Sequence, residues 1–206
     1  MVTLLDDPPA HRSTGIVAAQ RLRTTMAAMR LSFTWFGTRK TLSPEQKARA
    51  AASFGAEGEY LSAGKKLLNV RHPKFRAVTQ IRGRTCQYWK AMSLPYPEPG
   101  LRLIRQDDIA AVNVQMTTLR AELEETVVEL DQHYEELKIA ARERLGNLYN
   151  ESDYPATLAG LFDMAWEFPS VEPPAYLQQL SPELYRQECE RMQARFTEAV
   201  ELAEQA

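Results

Sequence analysis

Residues 107–149 read DDIAAVNVQMTTLRAELEETVVELDQHYEELKIAARERLGNLY, and the pattern of this stretch decides the fold class. Ile109, Met116, Leu123, Leu130 and Leu137 recur every seven positions. A second register holds Val112, Leu119, Thr126, His133 and Ala140, and Val127, Tyr134, Ala141 and Leu148 widen the stripe. No Pro or Gly interrupts the run before Gly146. Such spacing on a background of Glu, Leu, Ala and Arg predicts one long amphipathic helix with a coiled-coil-like seam. At 1.5 Å per residue, about 40 residues would span roughly 60 Å, so the helix must be covered by other helices, by a partner, or by both.

Ser181-Pro182 opens a last helix. Its apolar residues Tyr185, Cys189, Met192, Phe196, Ala199 and Ala203 alternate at spacings of four and three, the spacing of the longer seam. The two helices are therefore expected to pair as a long antiparallel coiled-coil-like hairpin, with its tip at residues 150–180. The fold class that follows is mainly α: an elongated helical protein in which 101–206 form the hairpin and 16–100 form a small basic helical head with a short β element. Residues 1–15, containing Pro8, Pro9, Ser13, Thr14 and Gly15, are expected to be a disordered lead.

Within the head, Ile16 to Met29 is a helix candidate, and Leu31-Ser-Phe-Thr-Trp-Phe36 alternates like a strand and meets Gly37, with Thr41 and Leu42 beyond the turn, as a short hairpin or an extended patch. Ser43-Pro44-Glu45-Gln46 combines a cap, a first-position proline and the third-position glutamine of a capping box. This helix should run to Phe54, with a second from Glu59 to Leu68. His72-Pro73 opens another helix, whose inner face is Phe75, Val78, Ile81, Thr85, Trp89 and Met92. Leu94-Pro-Tyr-Pro-Glu-Pro-Gly100 reads as a rigid extended connector, and Leu101-Arg-Leu-Ile-Arg105 as a short strand. Leu158, Leu161 and Phe162 suggest a short helix, followed by a proline-ruled extended stretch from Trp166 to Pro174.

Nothing approaches 18 consecutive apolar residues, so no membrane span is expected, and the acidic, proline-broken N-terminus is unlike a signal peptide. Cys86 and Cys189 lie far apart without metal-type spacing and are read as reduced thiols of a cytoplasmic protein. The formal net charge of −2 conceals an asymmetry: residues 1–90 hold 16 Lys+Arg against 5 Asp+Glu, a balance of +11, and residues 91–206 hold 9 against 22, a balance of −13. A basic half facing a polyanion and two halves neutralising each other both fit this division.

Catalytic signatures are missing. Gly58-Glu-Tyr-Leu-Ser-Ala-Gly64-Lys65-Lys66 has five residues between its glycines where a phosphate loop has four, and a second lysine where the loop needs Ser or Thr. His11, His72 and His133 are scattered; Glu129 and His133 share a helix face with Glu136 near, but no second Glu-x-x-His accompanies them. No metal, no cofactor and no enzymatic activity are expected. The surviving constellation is the stretch from Arg39 to Lys90, with 12 Lys+Arg against Glu45, Glu57 and Glu59. Arg39, Lys40, Lys65, Lys66, Arg71, Lys74, Arg76, Arg82, Arg84 and Lys90 are the candidate nucleic-acid contacts, because closely spaced cations match phosphates and interleaved aromatic rings stack on unpaired bases. Leu119, Leu123, Leu130, Leu137, Met192 and Phe196, on the two seams, are the candidate protein-interface residues.

The stretches Trp35-Phe-Gly-Thr-Arg-Lys-Thr-Leu-Ser-Pro-Glu45 and Ala63-Gly-Lys-Lys-Leu-Leu68, with Tyr96-Pro-Glu-Pro-Gly100 and the long acidic helix, resemble an uncharacterised family of bacterial and phage helical proteins carried as a domain of unknown function. The resemblance covers most of residues 31–190. It implies companionship with ring-forming ATPase modules and carries over no catalytic residue. The function expected is a non-enzymatic subunit of a larger prokaryotic assembly of defence or phage type, its basic head on RNA or DNA and its acidic hairpin on protein subunits. The rival is a pure scaffold or adaptor, possible partner of a ring ATPase, with no nucleic-acid binding. A seam of this kind serves a homo-oligomer as readily as a single chain.

Overall fold

The computed structural model describes the backbone of residues 9–205 and the side chains of residues 17–205. Seven α-helices lie among the described residues: α1 (Pro9–Thr25), α2 (Pro44–Ala52), α3 (Pro73–Ala91), α4 (Ile109–Gln132), α5 (Tyr134–Leu145), α6 (Ala175–Leu180) and α7 (Pro182–Glu204). Strands β1 (Met26–Thr34), β4 (Ser93–Pro95), β5 (Leu101–Arg105) and β6 (Asp163–Glu167) form a sheet in the order β4-β5-β1-β6. Strands β2 (Arg39–Thr41) and β3 (Gly64–Lys66) pair by themselves as a two-stranded ribbon.

The protein is mainly α, as expected, but the described residues form no long coiled-coil hairpin. The chain divides into two units, neither of which is the expected head or hairpin. Among the described residues, the first comprises 9–32, 85–117 and 164–205, and the second 33–84 and 118–163. Both α3 and α4 are shared between the units along their length.

In the first unit α7 packs on α1, α6 and β4. Met192, Phe196 and Ala199 are buried with Ala19, Ala28, Tyr96, Leu101 and Leu103, and the Phe196 ring meets Tyr96 edge-on at 5.6 Å. Burying side chains of this size is worth about 1.5–3 kcal/mol each. The apolar stripe of α7 was therefore legible, but its partner was not. A spacing of four and three specifies that a helix has a buried face, and leaves open which face covers it.

The same holds for the long stripe. Val112, Met116, Leu119, Leu123, Val127, Leu130, Tyr134, Leu137 and Ala141 are all buried, as the period demands. In the second unit ion pairs tie α4 to α3 (Lys74 with Glu129, Arg84 with Glu122) and to the entry of β6 (Arg120 with Asp163). Asp131 accepts hydrogen bonds from the Thr157 hydroxyl and the Leu158 amide at 2.8 and 2.7 Å. The helix is also interrupted: at His133 the amide donates to Leu130 O, three residues back, and a new helix begins at Tyr134. It ends at Gly146, whose positive φ of +49° favours glycine.

Other expectations require correction. The residues expected to be disordered are helical from Pro9, and residues 1–8 lie outside those described. The helix expected to reach Met29 gives way at Met26 to β1, which pairs antiparallel with β5 in the register Met26↔Arg105 to Arg30↔Leu101; Ala and Met accept either conformation, and the neighbouring strand decides. Of the two forms expected for 31–42, the extended one is found, in β1 to Thr34, and the hairpin is not, because β1 and β2 belong to different sheets. Residues 59–68 form a single 3-10 turn and β3 rather than a helix, and no helix forms at 158–162. The proline-rich connector is the turn of the β4–β5 hairpin: Pro95 sits at a sheet edge, where a missing amide is tolerated, and Gly100 takes a φ of +81°.

Candidate functional site

The candidate site lies in the second unit, on the ribbon of β2 and β3 and the loop that joins them. Register sets its chemistry: Arg39 stands opposite Lys66, Lys40 opposite Lys65 and Thr41 opposite Gly64. Successive residues of a strand face opposite sides, so two like-charged pairs sit back to back. Like charges directly opposed across a ladder destabilise it unless something neutralises them.

On the inner side Asp153 does so. Its carboxylate meets Lys40 Nζ at 2.5 Å and Lys65 Nζ at 2.6 Å, and Lys65 also donates to Leu148 O at 2.6 Å. The Lys65 and Asp153 side chains are only 6% and 2% exposed. Desolvation pushes the Asp153 carboxyl upward, but the hydrogen bonds and charges of Lys40 and Lys65 outweigh it and hold the group below the ordinary aspartate value. The adjacent Tyr154 hydroxyl donates to Leu67 O at 3.0 Å, and burial, with Tyr149 and Asp153 near, pushes its pKa up to about 12.

On the outer side Arg39 and Lys66 are exposed and make no ion pair with a described residue. Between the two strands the chain forms α2 and a 3-10 turn. Ser43 caps α2 through the expected capping box. The turn at Gly58 lies so close that a Cβ there would meet Ala48 Cα at 2.9 Å, so only glycine admits this packing. The same loop displays Phe54 and Tyr60, 82% and 87% exposed. Large aromatic rings this exposed contribute nothing to a core and are available to stack on a ligand.

The remaining candidate cations fare differently. Lys74 pairs with Glu129 at 2.8 Å and Arg84 with Glu122, each in an exposed ion pair. Arg82 lies over the rings of Phe33 and Trp35 at 5.1 and 4.9 Å, and Trp35 in turn packs edge-on against Phe162 at 4.9 Å. Arg71 and Arg76 are exposed without a described ion-pair partner, and Lys90 belongs to the first unit. The basic stretch is thus partly consumed by the fold. The candidate interface residues Leu119, Leu123, Leu130, Leu137, Met192 and Phe196 are all buried, each at 4% exposure or less, and are occupied by the protein's own cores.

Two further places bring polar side chains together. A cleft of about 630 Å³ in the first unit is lined by Thr25, Met26, Ala91–Leu94, Arg105, Asp107 and Asp108; its charged residues face one another, with Arg105 at 3.7 Å from Asp107 and 3.6 Å from Asp108. In the second unit His72 and His133, scattered in sequence, come together with ring centroids 5.5 Å apart, and Glu136 Oε2 lies 3.3 Å from His133 Nδ1. Each of the three offers one ligand atom within 4.8 Å of the others, although His72 and His133 lie 61 positions apart in the sequence. The His11 side chain lies outside the described residues.

No helix among the described residues is long and apolar enough to cross a membrane. Compared with protein-family models, curated proteins and solved structures, the chain matches none.

Proposed function

We propose that the protein is a non-enzymatic, cytoplasmic nucleic-acid-binding subunit of a larger assembly, and that the outer face of the β2–β3 ribbon takes the phosphates of a single strand. The observation that carries this reading is the Arg39–Lys66 pair: two cations held opposite each other at a solvent face, a placement that a polyanion turns from repulsive to favourable. Tyr60 and Phe54 on the connecting loop supply stacking surfaces, which favours unpaired bases over duplex. Arg71 and Arg76 extend the positive charge of the same unit.

Binding of labelled single-stranded and duplex RNA and DNA at low and moderate salt tests it. The intact protein should bind single strands, and each phosphate contact should contribute about 0.7 to the slope of log affinity against log salt. R39E/K66E should abolish binding with the circular dichroism spectrum unchanged. An intact protein that shows no saturable binding at low salt sinks the proposal.

A second reading, a protein adaptor, is favoured by a different surface. Tyr176 and Leu180 of α6 and Leu184 of α7 are 60%, 77% and 41% exposed. If the ribbon binds no nucleic acid, loss of a captured partner in a L180D/L184D variant would support this reading.

A further inference from the structure

We propose that His72, His133 and Glu136 form a binding site for one divalent transition-metal ion of the zinc class, with a fourth position open to water. The inference is independent of the ribbon and its phosphates. Each of the three residues offers one ligand atom, and these atoms all lie within 4.8 Å of one another. A tetrahedral ion with bonds of about 2.0–2.1 Å spaces its ligands roughly 3.3–3.4 Å apart. The His133–Glu136 pair, at 3.3 Å, already has that separation.

Two further observations point to a ligand. His72 Nδ1 is buried and has no hydrogen-bond partner among the described residues, although a buried ring nitrogen ordinarily finds one. And the helix is broken at His133, which is neither Pro nor Gly, the usual causes of an interruption. The break is a one-residue 3-10 step, with His133 N donating to Leu130 O, and such steps inside long helices often mark functional positions.

The backbone around the three residues is well fixed. His72 precedes Pro73, which restricts its backbone, and its carbonyl accepts the Arg76 amide at 2.9 Å as α3 begins. Lys74, two residues on, pairs with Glu129 at 2.8 Å, which holds the start of α3 against the end of α4. His133 and Glu136 are 40% and 69% exposed, so an ion reaches them from solvent. Two imidazoles and one carboxylate suit Zn²⁺ and its neighbours rather than Mg²⁺ or Ca²⁺, which take oxygen ligands.

The test uses the full-length chain, stripped with chelator and titrated with Zn²⁺ by calorimetry, with Co²⁺ absorption reporting the ligand field. The expected result is one equivalent bound at micromolar affinity or better, with a melting temperature that rises with Zn²⁺ concentration. Replacing groups that merely orient metal ligands costs 10–100-fold, so H72N or H133N should weaken binding by about 100-fold or more. Glu136 is exposed in the first turn of α5, so E136Q should keep the fold and still lose at least about tenfold. Absence of saturable Zn²⁺ binding by the intact protein overturns the proposal, as does unchanged affinity in E136Q together with either histidine variant that folds.

Discussion

The two faces of the β2–β3 ribbon share strands, register and residue type, yet they meet opposite fates. Inside, Lys40 and Lys65 converge on Asp153, and Lys65 is nearly closed off from water. Outside, Arg39 and Lys66 repeat the arrangement, and no carboxylate among the described residues pairs with them. A cation pair that the fold neutralises is a structural device, and one that it leaves opposed is available for binding. Positive charge counted along a sequence does not separate these two uses. Position on a pleated strand does.

The largest effect should come from the inner face. Removing one member of a buried ion pair leaves the other charged and desolvated, at about 3–5 kcal/mol. D153N should therefore destabilise the protein by that order in urea denaturation, whereas R39E/K66E should stay within about 0.5 kcal/mol of the parent. Since matched apolar replacements of buried pairs are often neutral, K65M/D153L should recover much of the D153N loss. Equal stability losses from the inner and outer substitutions would break the comparison.

Acid titration probes the same contrast without mutation at the ribbon cations. The folded Asp153 carboxyl sits below the ordinary aspartate value near 3.9 because two lysines hold its charged form. Its contribution to stability is thus complete above that ordinary value and fades as pH falls through the depressed folded value. Denaturation midpoints followed downward from pH 6 should fall, and the corresponding slope should be reduced in D153N. An identical slope in the variant would show that other carboxylates carry the acid sensitivity.

Arg82 sharpens the boundary between the two uses of charge. It belongs to the basic stretch, yet it lies over Phe33 and Trp35. Stacked arginines contribute about 0.5–2 kcal/mol, so R82A should cost stability on that order and leave oligonucleotide affinity nearly unchanged. A variant that kept its stability and lost binding would move Arg82 to the ligand face.

These cases also show what was legible in the sequence. The capping box at Ser43, the helix start at Ser181-Pro182, the strand at 101–105 and the buried stripe from Val112 to Ala141 depend on neighbours in the chain, and they are legible. The pairing of α7 with α1, the β1–β5 ladder and the Asp153 bridge depend on residues far apart in sequence, and no local pattern encodes them. The ribbon was half legible. Its four cations were picked out, but only the β2–β3 register, hidden behind an expected helix at 59–68, shows that they form two pairs. His72 and His133, scattered in the sequence, likewise come together only through the packing of α3 on α4.

The smallest effect is the most direct reading of the outer pair. If Arg39 and Lys66 face each other without compensation, the folded ribbon bears their repulsion, and opposed pairs change stability by about 0.2–1 kcal/mol. R39T/K66T replaces them with residues that favour strands and should be more stable than the parent by a few tenths of a kcal/mol, roughly the low end of that range. The gain should shrink as salt screens the parent's repulsion. The same variant should lose single-strand binding, so stability and affinity should move in opposite directions. That sign is what distinguishes a retained binding pair from ordinary surface charge, since residues kept for function are often those the fold would be more stable without. A variant less stable than the parent would mean that Arg39 or Lys66 has a structural partner, and the binding face would then have to be sought among Arg71 and Arg76.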